Sequence, residues 1–286
     1  MSDSIDILNA LALMTNFVIL PALSYGSQLA LGALAVTLVY SVLRFSNFAQ
    51  ADSMSFGTML VILISGFMIS KGWTIAGLPT ALLAIPFAII GMSIYLLLVD
   101  KLVYKHYRKI NARQNIVGIT ASIGVMFITG GIVRFILTAK AQIFADGERF
   151  IFSVREFKAF TGMQQGIALK TSQFLTISLA ILLVVFLFYF LQKTKTGKAM
   201  RAYSDNKELA LLSGINPDRI VQITWLLVAV LTTIAGTLYG LDKGFAPQQY
   251  HLLLLPIFAS VIVGGTVSYT HLRAHETKAN LVCRLL

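Results

Sequence analysis

Gly197-Lys-Ala-Met-Arg-Ala-Tyr-Ser-Asp-Asn-Lys-Glu-Leu-Ala-Leu-Leu-Ser-Gly-Ile-Asn-Pro-Asp-Arg219 is the most polar long stretch lying between two strongly apolar ones in this chain. It reads as a short helix between two breaks. Asp205 is placed to cap the helix N-terminus with Glu208 reaching back to it, and Gly214 supplies the left-handed residue that ends it. A second helix then begins at Asn216, a good N-cap, with Pro217 in the first helical position and Asp218 at the positive end of the dipole. The flanking segments, Phe174 to Leu191 and Ile220 to Leu241, are long enough to cross a hydrocarbon core of about 30 Å. The polar stretch therefore joins two membrane spans, and composition leaves two readings open: a solvated connector or a docking surface at the mouth of a membrane protein.

Composition agrees with the membrane placement. Of 286 residues, 57% are hydrophobic and 12% charged, against about 25% charged in soluble domains. The apolar runs lack the alternation of a barrel. No cleavable signal is evident in Met1-Ser-Asp-Ser-Ile-Asp6, which has no basic region before the first apolar run. The net charge of +11 does not point to nucleic acid, because the basic residues cluster beside spans instead of interleaving with aromatics on a polar face. A single cysteine, Cys283, excludes an intramolecular disulfide and makes no metal site by itself.

Eight apolar segments can be read: about Ile7 to Leu23, Tyr25 to Leu43, Ser55 to Ser70, Leu78 to Val99, Ile116 to Leu137, Phe174 to Leu191, Ile220 to Leu241 and His251 to Thr266. Pro21 and Ser24 to Ser27 are expected to break the first from the second. The basic loop Lys101 to Arg113 and the basic loop before the seventh segment are separated by two spans, so both belong on the cytoplasmic side. Arg44 falls inside with them, and Thr138 to Thr171 faces outside. Gly236 and Gly240 form a G-x-x-x-G, and with Gly118, Gly124, Gly130 and Gly131 they are expected at close helix contacts. Pro86 and Pro256 are expected to kink their helices.

Enzyme readings fare poorly. No H-E-x-x-H or G-x-S-x-G is present, and the four histidines are scattered at positions 106, 251, 271 and 275. Gly197-Lys198 is no phosphate-binding loop, since Gln192 and Ala199 stand where the first glycine and the magnesium-binding hydroxyl belong. Apart from Arg134, the spans so drawn lack the ionisable residues that ion-coupled carriers use as relays. Energy for transport would come from a separate subunit.

Arg44-Phe-Ser-Asn-Phe-Ala-Gln-Ala-Asp-Ser-Met-Ser-Phe-Gly57 is the second informative stretch, because so many polar residues beside the bilayer are tolerable only where they line water or protein. An ordinary polar turn between helices is the alternative. The stretch resembles the Asn-Phe-Ala-His-Gly-acidic signature of the permease subunits of branched-chain amino acid ABC importers. Asn47, Phe48, Ala49, Asp52 and Gly57 match, while Gln50 and Ala51 replace the usual His and Gly. The polar connector is similar to that family's coupling loop through Gly197, Ala199, Arg201, Ala202, Asp205, Ala210, Leu212, Gly214, Ile215 and Arg219. The resemblance covers Tyr25 to about Thr266.

That resemblance implies an all-α polytopic membrane protein, a permease without its own ATPase, multi-pass in a bacterial inner membrane. Its expected partners are a second permease subunit, two ATP-binding subunits and an extracytoplasmic substrate-binding protein, with no cofactor. Gly197, Lys198, Arg201, Asp205, Glu208, Ala210, Leu212, Gly214 and Ile215 would form the ATPase-coupling loop. Asn47, Phe48, Gln50 and Asp52 would belong to the translocation path. Urea or short-amide carriers share these motifs, and an independent secondary transporter or channel is the reading from a different class.

The chain changes character after Thr266. Arg273, Glu276, Lys278, Arg284, His271, His275 and Cys283 all fall within Val267 to Leu286. This string resembles one reading frame of a transposon-type sequencing-library adapter, with Lys278 to Asn280 at the index. The expectation is a permease domain over residues 1–266, incomplete at its C-terminus, and a non-native tail over 267–286. Without the tail Lys plus Arg falls from 23 to 20 and Asp plus Glu from 12 to 11, a net charge of +9.

Overall fold

A computed structural model describes residues 9–73, 79–109, 114–138, 144, 150–152 and 167–266. The first helix, α1 (Asn9–Leu43), is continuous, so the expected break at Pro21 does not occur. A π-turn at Thr15–Ile19 lets the Leu20 N–H reach the Thr15 carbonyl, and this widened turn absorbs the proline with its missing donor. Ser24 is buried rather than helix-breaking, and accepts a hydrogen bond from Gln28 Nε2 at 3.4 Å.

The next helix, α2 (Gln50–Ser70), starts five residues earlier than the apolar pattern indicates. α3 (Thr80–Val99), which contains Pro86, continues through a π-turn at Asp100–Tyr104 and a last α-turn at Lys105–Lys109. α4 spans Gln114–Leu137 and α5 spans Thr171–Lys193. Between them the short antiparallel strands β1 (Phe150–Phe152) and β2 (Leu169–Lys170) pair. Much of the expected outer loop, Thr138 to Thr171, lies outside the described residues, as does the stretch Val267 to Leu286.

Two short helices, α6 (Lys195–Asp205) and α7 (Lys207–Leu212), precede the long α8 (Pro217–Lys243). The last apolar segment forms no helix of membrane length within the described residues. It is α9 (Pro247–Leu252), then α10 (Leu254–Val261), then a π-turn at Ile262–Thr266. Pro256 is the third residue of α10, where no intrahelical donor is lost, so it stops nothing. Among the described residues six helices are long and apolar enough to cross a membrane, where the sequence pattern suggests eight.

The core forms around α8, which packs against α1, α2 and α3. Gly236 explains how closely α2 approaches: a Cβ there would overlap the Met54 carbonyl and the Thr58 hydroxyl. Gly118 and Gly130 likewise face Phe45 and Asp52, whereas Gly124 and Gly131 face open space and take no part in packing.

Candidate functional site

The polar connector folds as a helical hairpin at the basic end of the bundle. Thr194 opens it: its hydroxyl accepts from the Gly197 N–H at 3.0 Å. The cap of the second helix is Asn206, whose Oδ1 accepts from the Glu208 and Leu209 N–H groups at 3.0 and 3.1 Å. Asp205 ends α6 instead, because a cap must leave helical backbone geometry, and it is Asn206 that does so with φ −145° and ψ 107°. The rest agrees with the sequence reading. Gly214 has φ +78°, and Asn216 Oδ1 accepts from the Arg219 N–H at 3.3 Å to start α8 behind Pro217.

The residues expected in this loop divide by exposure. Gly197 and Ala210 are buried and Ile215 is half-buried. A Cβ at Gly197 would strike the backbone at Phe190 and Leu191, so the glycine lets α6 fold back on the end of α5. Lys198, Arg201, Asp205, Glu208, Leu212 and Gly214 are exposed. Leu209 and Leu211 join them, and Leu212 is 85% exposed. Three leucines outward on a hairpin bearing both charge signs make an apolar spot with a polar rim, the composition of a protein contact.

Below the hairpin lies a polar anchor. Arg108 donates to both oxygens of Asp100, at 2.6 and 2.9 Å, and Trp225 Nε1 donates to Asp100 Oδ1 at 2.8 Å. Tyr104 stacks on Trp225. Lys105 pairs with Asp218 at 3.1 Å. The Arg44 guanidinium donates to the Ser204 carbonyl, and Ser204 Oγ donates to the Ser41 carbonyl at 3.1 Å. These bonds fasten α6 to α1 and α3 to α8. The side chain of Tyr203, on the inner side of α6, is buried, and burial pushes its phenol above its ordinary value, partly offset by Arg108. It remains neutral at working pH.

The second expected stretch is no ordinary turn. Arg44 takes a left-handed conformation, φ 62°, and ends α1. The chain then climbs back into the bundle without helix until Gln50. There Gln50 Nε2 donates to Thr232 Oγ1 at 3.0 Å, and Thr232 lies about fifteen residues, roughly 22 Å, into α8 from Pro217. Helix α2 therefore begins deep within the membrane. Non-helical backbone at such depth survives only when protein surrounds it. Here Asn47 Oδ1 accepts from the Ala49 N–H at 3.2 Å, and the Phe48 N–H donates to Ser122 Oγ at 3.1 Å. The structure brings all four expected residues of this set to one break: Asn47, Gln50 and Asp52 are buried, and Phe48 stacks on Phe258.

Asp52 is 3% exposed, and His251 Nδ1 shares a hydrogen bond with its Oδ2 at 3.0 Å. This corrects two sequence expectations. The spans do contain buried ionisable groups, Asp52 and Asp100, because α2 and α3 extend past their apolar runs. His251, expected to be isolated, returns on α9 to the start of α2. Sequence reasoning missed His251, Asp100 and Trp225; the only visible signals were single polar residues at the edges of apolar runs. Among the described residues, no three His, Cys, Asp or Glu side chains group closely enough to hold a metal.

Membrane-length helices, a buried polar re-entry and an exposed hairpin fastened to the core define the class: a polytopic transport subunit. The family described as branched-chain amino acid transport system / permease component matches residues 18–274, and this chain belongs to it. A probable branched-chain amino acid transport permease protein LivH of Methanocaldococcus jannaschii is 30% identical over 246 residues, 85% of this chain and 72% of its own length. A high-affinity branched-chain amino acid transport system permease protein LivH of Salmonella typhimurium is 26% identical over 84% of this chain and 75% of its own. A fructose import permease protein FruG of Bifidobacterium longum is 28% identical over 67% of this chain and 53% of its own. No solved structure matches.

Proposed function

We propose that this chain is the membrane-spanning permease subunit of an ATP-driven importer of branched-chain amino acids in a bacterial inner membrane. The observation that carries the reading is the exposed α6–α7 hairpin, each helix of which has its own N-cap, fastened to α1 through Arg44, within a chain of the permease family. A hairpin of this build transmits force: an ATP-binding subunit pressing on Arg201, Glu208 and Leu212 moves α6, and the Arg44 and Ser204 bonds carry the movement to α1. Two ATP-binding subunits, a second permease and an extracytoplasmic binding protein complete the assembly. The basic end, holding Arg44, Lys105, Arg108 and the hairpin, is cytoplasmic.

The translocation path passes over Asp52. Phe48, stacked on Phe258, belongs to it, and Asn47 and Gln50 shape the break that opens α1 from α2. Coexpression with the ATP-binding and binding-protein subunits, followed by reconstitution into proteoliposomes, tests the reading. ATP-dependent leucine uptake requiring all of the subunits is the expected result. A chain that transports alone, or that recovers no ATP-binding subunit, would be an independent carrier instead.

A further inference from the structure

Helices α3 and α8 run antiparallel at the basic end and are tied twice, by Lys105–Asp218 at 3.1 Å and by Trp225 Nε1 donating to Asp100 Oδ1 at 2.8 Å. A cleft of about 580 Å³ is bordered by both ties, a size within the roughly 300–1,000 Å³ of sites that take small ligands. Lys101, Lys105 and His106 line it from α3, and Asp218 and Gln222 line it from α8. Its two carboxylates are already matched: Asp100 holds Arg108 and Trp225, and Asp218 holds Lys105. Lys101 is exposed and makes no ion pair among the described residues. The charge left over is therefore a cation. Lys105 can share in it, since a pair as open to solvent as Lys105–Asp218 holds its lysine weakly.

Depth and walls decide which anion fits. Lys101 lies seven residues inside the Arg108 end of its helix and Gln222 five residues inside Pro217, each roughly 8–10 Å along the axis. That is the depth of the headgroup layer flanking a hydrocarbon core of about 30 Å. Toward the bilayer centre the stripe of α3 that carries Lys101 continues as Leu98 and Ile94, and the face of α8 that carries Gln222 continues as Leu226. All three are exposed. Apolar rails that begin where a charged cleft ends match a molecule with an anionic head and acyl chains, whereas a soluble anion would leave them bare. We infer that the cleft is a headgroup site for an anionic phospholipid of the cytoplasmic leaflet. Lys101 and Lys105 take its phosphate, His106 and Gln222 hydrogen-bond the rest of the headgroup, and the chains lie along Ile94, Leu98 and Leu226. Basic clefts between spans on this side suit such headgroups. A zwitterionic lipid fits worse, because its ammonium finds no unmatched carboxylate. The inference takes the cytoplasmic placement of the basic end from the importer reading and is independent of what is transported.

The test places a reporter thiol in the cleft. Gln222→Cys is made with Cys283→Ser, the full chain is reconstituted into phosphatidylcholine vesicles with or without one-fifth phosphatidylglycerol, and alkylation by a neutral maleimide is timed. Phosphatidylglycerol should slow labelling at least fivefold. Lys101→Gln should cut that effect to less than twofold and Lys101→Arg should keep most of it; all the variants meet the same membrane charge, so the contrast separates the site from a general surface effect and from a folding defect. Equal rates in the two kinds of vesicle would overturn the site, as would equal slowing in Lys101→Gln. Equally strong slowing by millimolar inorganic phosphate in pure phosphatidylcholine would show a site for a soluble anion and overturn the lipid. The measurement is repeated in the importer assembled with cysteine-free partner subunits, where a thiol already shielded in pure phosphatidylcholine would make the cleft a subunit interface instead. A chain that recovers no ATP-binding subunit yet shows the lipid-dependent slowing would refute the functional proposal and leave the site standing.

Discussion

Asp100 shows how one residue ties the membrane core to the surface. It is 5% exposed and takes three hydrogen bonds, two from Arg108 and one from Trp225. Breaking a buried pair by removing one partner leaves the other charge uncompensated, at about 3–5 kcal/mol, whereas removing both is often neutral. Arg108→Met should therefore lower the melting temperature of the purified protein by several degrees, and Asp100→Leu with Arg108→Met should recover only part of it, because the buried Trp225 N–H then loses its acceptor. Thermal unfolding of the single and double variants checks this; a single variant that melts with the parent would show the anchor to be idle. Gly236 is tested the same way. Replacing it with Leu would force α2 off α8 at Met54 and Thr58, and overpacking of this kind typically costs about 1–3 kcal/mol. The same melting measurement should show that loss.

At the scale of elements, the sequence was most legible where local chemistry decides. Gly214, Asn216 and Pro217 stand as read because a left-handed stop and a proline start depend on few neighbours. It was least legible where another helix supplies the partner. Gln50 to Met54 reads as polar loop, yet it is helix, with Gln50 Nε2 and Asp52 Oδ2 finding partners in Thr232 on α8 and His251 on α9. Pro21 reads as a break, yet a π-turn five residues long carries it. The shift of the cap from Asp205 to Asn206 is one residue, and only the backbone angles separate two equally good capping side chains. The cap yields its own prediction: Asn206→Ala removes the acceptor for two N–H groups and should destabilise α7 by about 1 kcal/mol. Faster amide exchange at Glu208 and Leu209 is the expected readout, and unchanged exchange would deny Asn206 that role.

For the whole molecule, basic loops far apart in sequence were rightly grouped at one end, and the structure joins them by Lys105–Asp218 and Arg44–Ser204 contacts. Which end faces the cytoplasm is a separate matter, set by charge and not by packing. A single reporter cysteine in Thr138 to Thr171 should label from outside with an impermeant reagent, and one in Lys101 to Arg113 should not. The number of spans was hard to read, because the last apolar segment has the composition of a span but forms only short helices within the described residues, with His251 on the first of them meeting Asp52. The tail over 267–286 is proposed as non-native, and sequencing the genomic locus by a route free of that adapter should fail to recover it in frame. The proposed function makes the hairpin the point where ATP-driven movement enters. The most direct measurement is ATP hydrolysis by the reconstituted importer, with and without liganded binding protein, in Arg201→Glu and Gly214→Pro variants that insert normally. The account predicts that stimulation disappears in both; stimulation equal to the parent's in both would contradict it.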